Sequence, residues 1–205
     1  MSITSLKNRH PLVSLLLTAL AIRLVCLFLP DGFRDGVSYT ENLSNLLIHR
    51  LFYAITSFFT IAFAYRISEL FSSKRTAWNI GAVLSFCLIR PDLSFVTDPC
   101  VFTSLPFMLY GSLIVLRQET LRQASMSENI HRTSFFVAGI VTAFGFAIWL
   151  NACLIVLPIL LILIFRSKKS ALFMAMGFAI TTAFIFAATY FITHTTTYQI
   201  LDNLL

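Results

Sequence analysis

Four aspartates are the side chains best suited to chemistry: Asp31, Asp35, Asp92 and Asp98 lie in two short polar gaps between long apolar runs. A carboxylate can act as a general base toward an attacking hydroxyl group, and a pair of carboxylates can hold a hard divalent cation. Asp31 and Asp92 each follow a proline and are interpreted as turn residues, whereas Asp35 and Asp98 have less obvious turn roles. A simpler explanation is that short loops carry solvated charges.

The segments that position these gaps have the composition of membrane helices. The chain is 58% hydrophobic and 12% charged, with 21 phenylalanines, and its mean hydropathy is +0.83. Several apolar runs reach the roughly 20 residues that cross a hydrocarbon core of about 30 Å. We predict an all-α, polytopic transmembrane bundle of about seven spans, with residues 1–205 as a single domain. The spans are expected near 11–29, 48–67, 76–90, 99–116, 133–149, 151–165 and 171–191.

The fifth and sixth spans come from one uncharged run. Thr133 to Phe165 would be about 50 Å long as a single helix, which exceeds one membrane crossing. We therefore place a break at Trp149–Asn151, where an interfacial aromatic meets a polar side chain; the alternative is one long tilted helix.

Gly139 and Gly145 are six residues apart, which is too far for a GxxxG face, but each is expected to allow close helix contact.

Lysine and arginine predict the orientation. With seven spans and a cytoplasmic N-terminus, the C-terminus lies on the outer or lumenal side and the basic residues concentrate in the inner loops, as the positive-inside rule requires. This topology explains the net charge of +6 without a nucleic-acid partner. The inner set is Lys7, Arg9, Arg66, Lys74, Arg75, Arg117, Arg122, Arg132, Arg166, Lys168 and Lys169, and the outer set is Arg34, Arg50 and Arg90.

The carboxylates concentrate on the opposite side from the basic residues. Acidic residues do not set topology, so this distribution requires a separate explanation and is the functional hint in the sequence. The outer acids are Asp31, Asp35, Glu41, Asp92, Asp98 and Asp202, whereas Glu69, Glu119 and Glu128 are inner.

Arg23 is different because it lies inside an apolar span. A guanidinium in mid-helix costs roughly 2.5 to 3.5 kcal/mol on insertion scales. We therefore expect it to face the bundle and have a partner, or to extend toward the outer interface.

The order of short motifs over residues 11–190 resembles the polytopic GT-C glycosyltransferases, which include protein O-mannosyltransferases and the aminoarabinose transferases of lipid A. In that family a late arginine in the first span leads to an aspartate followed by a tyrosine, and a second outer loop carries its own aspartate. The matching segments are Ala21–Leu24, Asp35–Tyr39, His49–Leu51, Tyr65–Arg66, Ser73–Arg75, Pro91, Thr97–Pro99, Ala138–Gly139, Gly145, Asn151, Leu157–Pro158 and Arg166–Lys169.

The resemblance implies transfer of a sugar from a polyprenyl- or dolichyl-phosphate carrier to an acceptor on the outer or lumenal face. Asp35 would be the catalytic base, and Asp98 would assist it or share a divalent cation, Mg or Mn, with it. The residues expected to bind the carrier phosphate or the substrate are Tyr39, His49, Arg50, Arg90 and Asn151.

The sequence also departs from the family in ways that leave other functions open. Its first outer loop is short, Asn151 stands where the family often has lysine, and 205 residues are few for such an enzyme. We expect a reduced or truncated homologue, a fragment, or part of an assembly in the plasma, inner or ER membrane. The alternative is a non-catalytic scaffold or partner subunit; a transporter is disfavoured because the spans contain essentially no acidic residues.

Overall fold

The computed structural model describes residues 11–27, 43–88, 99–125 and 132–202. Over these residues the chain is all-α, as predicted, and a helix lies over each of the seven apolar runs. The helices are α1 (Pro11–Leu27), α2 (Leu43–Phe71), α3 (Lys74–Cys87), α4 (Pro99–Ser125), α5 (Arg132–Ile148), α6 (Cys153–Arg166) and α7 (Lys168–Asp202).

Three segments are long and apolar enough to cross a membrane. They are Arg50–Phe71 in α2, Cys100–Gln123 in α4 and Lys168–Thr193 in α7. Shorter apolar segments occupy Pro11–Val25, Arg132–Ile148 and Leu150–Arg166. These lengths support a membrane protein, while the number of crossings and the side that faces the cytoplasm remain predictions.

The break between α5 and α6 lies at the predicted position, where the aromatic Trp149 is followed by the polar Asn151. Trp149 is not helical, and Leu150–Ala152 forms a single 3₁₀ turn in which the Ala152 N–H donates to the Trp149 carbonyl at 2.9 Å. The interpretation as one long tilted helix is therefore wrong. At the other end of α6, the Arg166 carbonyl accepts from Nη2 of Arg122 at 3.3 Å, so the C-terminal ends of α4 and α6 meet.

Two buried clusters form the core. The first joins α1, α2 and α3, and the second joins α4 through α7. Aromatic contacts between α2 and α4 connect the two halves: Tyr53 meets Phe102 edge-on at 5.9 Å, and Phe63 stacks on Tyr110 at 4.9 Å. The first cluster contains Leu15, Ala19, Ile61, Tyr65 and Ala77, and the second contains Met108, Val115, Phe135, Ala138, Ala152, Val156, Leu163, Ala171 and Met174.

Helix α5 packs on α4 and α7 through its two glycines. A Cβ at Gly139 would overlap the Met174 carbonyl oxygen of α7, whereas a Cβ at Gly145 would approach the Met108 side chain of α4 at 2.6 Å. The expectation that each glycine allows close helix contact is confirmed, and each contact is with a different neighbour.

A hydrogen bond within the first cluster gives a testable stability effect. The indole N–H of Trp78 donates to the buried Ser14 hydroxyl at 3.2 Å and joins α3 to α1. We expect Trp78→Phe to lower the free energy of unfolding by about 1 kcal/mol, because it removes a typical single hydrogen bond. The measurement is an SDS titration in detergent micelles. In a Ser14→Ala background, Trp78→Phe should lower the free energy of unfolding by less. An equal decrease in both backgrounds would contradict the stabilising role of the Trp78–Ser14 hydrogen bond.

Candidate functional site

The guanidinium of Arg23 is the most unusual polar group among the described residues. Arg23 lies one turn before the end of α1 and is only 3% exposed. Its Nε donates to Ser57 Oγ of α2 at 2.7 Å, and its Nη2 donates to the Leu88 carbonyl at 2.9 Å, just beyond α3. Nη1 donates to the Ala19 carbonyl of α1 at 3.0 Å. One side chain therefore joins three helices.

Local chemistry explains why these acceptors are available. The Ser57 hydroxyl donates its own proton to the Ala54 carbonyl at 3.0 Å, which leaves oxygen lone pairs for Arg23. Leu88 is the C-cap residue that follows the last helical residue of α3, Cys87, and carbonyls at a helix C-terminus lack a partner within the helix. The prediction that Arg23 faces the bundle and has partners is confirmed. Its head group ends on the carbonyl of the buried Leu88.

This clamp fixes the two helix ends from which the aspartate-bearing segments continue. Leu27 ends α1 and Leu88 caps α3, and Arg23 connects these two regions directly. The predicted residues Asp35, Tyr39, Arg90 and Asp98 follow these ends and lie outside the described residues. Their roles, their separation and the proposed metal pair remain predictions.

Two predicted residues have described side chains. Arg50 is half-buried in α2, one turn before the Tyr53 that contacts α4. Asn151 is exposed in the 3₁₀ turn between α5 and α6. Neither lines either of the two cavities described below. The neighbouring His49 lies in α2, but its side chain is outside the described part.

An apolar cavity of about 360 Å³ lies beside Arg23, between α1 and α2. Arg23 is the charged member of a wall that is otherwise hydrocarbon and aromatic. Such a surface can accept a hydrocarbon chain, and several of its side chains are exposed at the bundle surface. The lining residues are Leu20, Arg23, Leu24, Leu51, Ala54, Ile55, Phe58 and Phe59.

A second cavity, of about 280 Å³, lies around Glu119, in the C-terminal half of α4. The sequence placed Glu119 among the inner charges but did not predict that it is buried, with 7% of its surface exposed. Its burial could have been predicted from its position on α4, because Met108, Ser112, Val115 and Glu119 recur at helical spacing and are all buried.

Within the described ranges, no group of three or more His, Cys, Asp or Glu side chains is placed to hold a metal ion.

Comparison with known proteins gives no further assignment. No family model, curated protein or solved structure matches the chain. The resemblance to GT-C transferases therefore stays a prediction from the order of the short motifs in the sequence.

Proposed function

We propose that the protein is a multi-pass membrane glycosyltransferase that moves a sugar from a polyprenyl- or dolichyl-phosphate carrier to an acceptor on the outer or lumenal face. The observation that carries this proposal is the Arg23 clamp between α1, α2 and α3. It holds together the helix ends that lead into the segments with Asp35 and Asp98, so it supports a shared site for the two carboxylates.

In the proposed reaction, Asp35 takes the proton of the acceptor hydroxyl as its oxygen attacks the anomeric carbon. The bond from that carbon to the carrier phosphate breaks, and the bonding electrons leave with the lipid phosphate. Arg50 and Arg90, together with His49, are the candidate cations for the departing phosphate. Asp98 assists the base or, with Asp35, holds Mg or Mn; Tyr39 and Asn151 are candidate substrate contacts.

The apolar cavity beside Arg23 fits the same proposal. A carrier lipid must keep its hydrocarbon chain in an apolar environment while its phosphate reaches the polar site. The cavity walls at Leu24, Leu51 and Phe58 provide such an environment near the C-terminal end of α1.

The test compares Asp35→Asn with Asp31→Asn in the purified chain, using a radiolabelled polyprenyl-phosphate sugar and a soluble acceptor. We expect Asp35→Asn to reduce transfer by about 100-fold or more, which is typical of removing a general base. Asp31→Asn, a matched change in the same segment, should retain transfer. Equal activities of wild type and Asp35→Asn would contradict the catalytic role.

A non-catalytic partner subunit is the second candidate, and α7 has an exposed apolar surface on which a membrane partner can pack. Only 17% of the apolar segment in α7 is buried within the bundle, compared with 33% in α2 and 39% in α4. Phe184, Tyr190 and Phe191 are exposed on this helix, as is typical of a surface that meets lipid or another membrane protein. Stoichiometric purification with a membrane partner, without transfer in any assay of the complex, would favour this alternative.

A further inference from the structure

We propose that the Glu119 cavity binds a phospholipid headgroup that carries a primary amine, the chemistry of phosphatidylethanolamine. The cavity lies where the ends of α2, α4 and α6 meet, and its wall includes Phe71, Gln123 and Arg166. This site is separate from the proposed transferase site at the Arg23 end and does not depend on transfer activity.

The carboxylate supplies the first recognition element. Glu119 is buried to more than nine-tenths, and its Oε1 accepts no hydrogen bond within the described part of the chain. Nη1 of Arg122 lies 3.5 Å from that oxygen, close enough for charge attraction but without hydrogen-bond geometry. A buried acceptor without a donor is costly, and an ammonium group brings three N–H donors together with a positive charge.

The arginines supply the second element. Arg166 lines the same cavity, and its carbonyl accepts from Nη2 of Arg122 at 3.3 Å. A guanidinium at this position suits a phosphate because its planar donor fork matches phosphate oxygens. The cavity therefore presents an acceptor for an amine and a donor for a phosphate, as a zwitterionic headgroup requires.

The remaining walls suit a lipid more than a soluble amine phosphate. Ile159, Ile162 and Phe71 contribute hydrocarbon and aromatic surface, and Ile162 and Phe71 are exposed at the bundle surface. A cavity of about 280 Å³ has room for a headgroup, while the acyl chains would continue along the apolar exterior. Choline lacks N–H donors, so a choline headgroup cannot satisfy Glu119 in the same way.

The experiment is native mass spectrometry of the full chain in detergent, titrated with phosphatidylethanolamine, phosphatidylcholine or phosphatidylglycerol of identical short acyl chains. Phosphoethanolamine without acyl chains is a separate arm that distinguishes the lipid from a soluble headgroup. We expect the ethanolamine lipid to bind about tenfold more tightly than the other two lipids, and Glu119→Gln to remove this preference. Glu69→Gln, at a more exposed glutamate paired with Arg66, is the matched control and should keep it.

A second variant separates binding from folding. Ile162→Trp places an indole at the partly exposed cavity wall, leaves Glu119 intact and should also weaken binding of the ethanolamine lipid about tenfold. Equal affinity of the wild type for the three lipids, an unchanged preference in Glu119→Gln, or an unchanged affinity of Ile162→Trp for the ethanolamine lipid would overturn the proposal. Binding of phosphoethanolamine as tightly as the lipid would overturn the assignment to a lipid.

Discussion

Arg23→Met should lower the free energy of unfolding by about 3 kcal/mol, which is about 1 kcal/mol for each of the hydrogen bonds to Ser57, Ala19 and Leu88. Methionine occupies similar space but leaves the Leu88 carbonyl and the Ser57 hydroxyl without their donor. The same change makes α1 more apolar and favours its insertion by roughly 2.5 to 3.5 kcal/mol. SDS titration in micelles measures unfolding of protein that is already inserted. A lower free energy of unfolding in this assay would therefore report weaker packing between helices and not a change in insertion.

Two further variants distinguish the clamp from a general effect of charge. Arg23→Lys retains the positive charge but replaces a planar fork with a point-like ammonium, so it should recover only part of the loss. Arg66→Met is the matched control because Arg66 is exposed and pairs with Glu69 at 3.1 Å; the expected change is within about 1 kcal/mol. A similar loss for Arg66→Met and Arg23→Met, or full recovery by lysine, would show that Arg23 is not a clamp.

The helices could be predicted from the sequence because apolar runs and membrane thickness constrain length strongly. The excessive length of the uncharged run indicated a break, and the aromatic Trp149 followed by the polar Asn151 indicated its position; the structure places a 3₁₀ turn there. Helix ends were harder to predict because helices extend beyond their apolar runs: α2 continues to Phe71 and α4 to Ser125. Solvated polar residues can continue a helix once it has formed, so hydropathy alone does not mark its end.

The partners of the buried charges could not be predicted in the same way. Arg23 was expected to need a partner, but Ser57 is one of many hydroxyl residues, and a backbone carbonyl such as that of Leu88 has no side-chain signature. Glu119 was missed because hydropathy treats a carboxylate near a helix end as exposed. Glu119 lies on the same face of α4 as the buried Ser112 and Val115, and this helical spacing could have predicted its burial.

Gly139→Leu should destabilise the α5–α7 contact by about 3 kcal/mol, at the upper end for inserting a side chain into close-packed structure. The first added carbon would overlap the Met174 carbonyl oxygen and lie 2.8 Å from the Phe178 nitrogen, both of them backbone atoms of α7. Backbone atoms within a helix cannot rotate away, so the two helices must separate. Gly177 makes the reciprocal contact with the Phe136 carbonyl, so Gly177→Leu should have a similar effect. The measurement is SDS titration of the folded protein in micelles.

Comparing alanine variants at Gly139 and Gly81 tests whether the nearby backbone atoms of α7 are what makes a side chain at Gly139 destabilising. Alanine favours helix over glycine by about 1 kcal/mol, so Gly→Ala should stabilise wherever the added methyl fits. At Gly81 the methyl would meet the tip of the Leu15 side chain, which can change rotamer, and we expect a change near zero or a small gain. At Gly139 the overlap with backbone should exceed that gain, so Gly139→Ala should be a net loss of about 1 kcal/mol or more. Equal effects at Gly81 and Gly139 would mean that the α5–α7 crossing does not require a glycine, and the close approach of these helices would have to be abandoned.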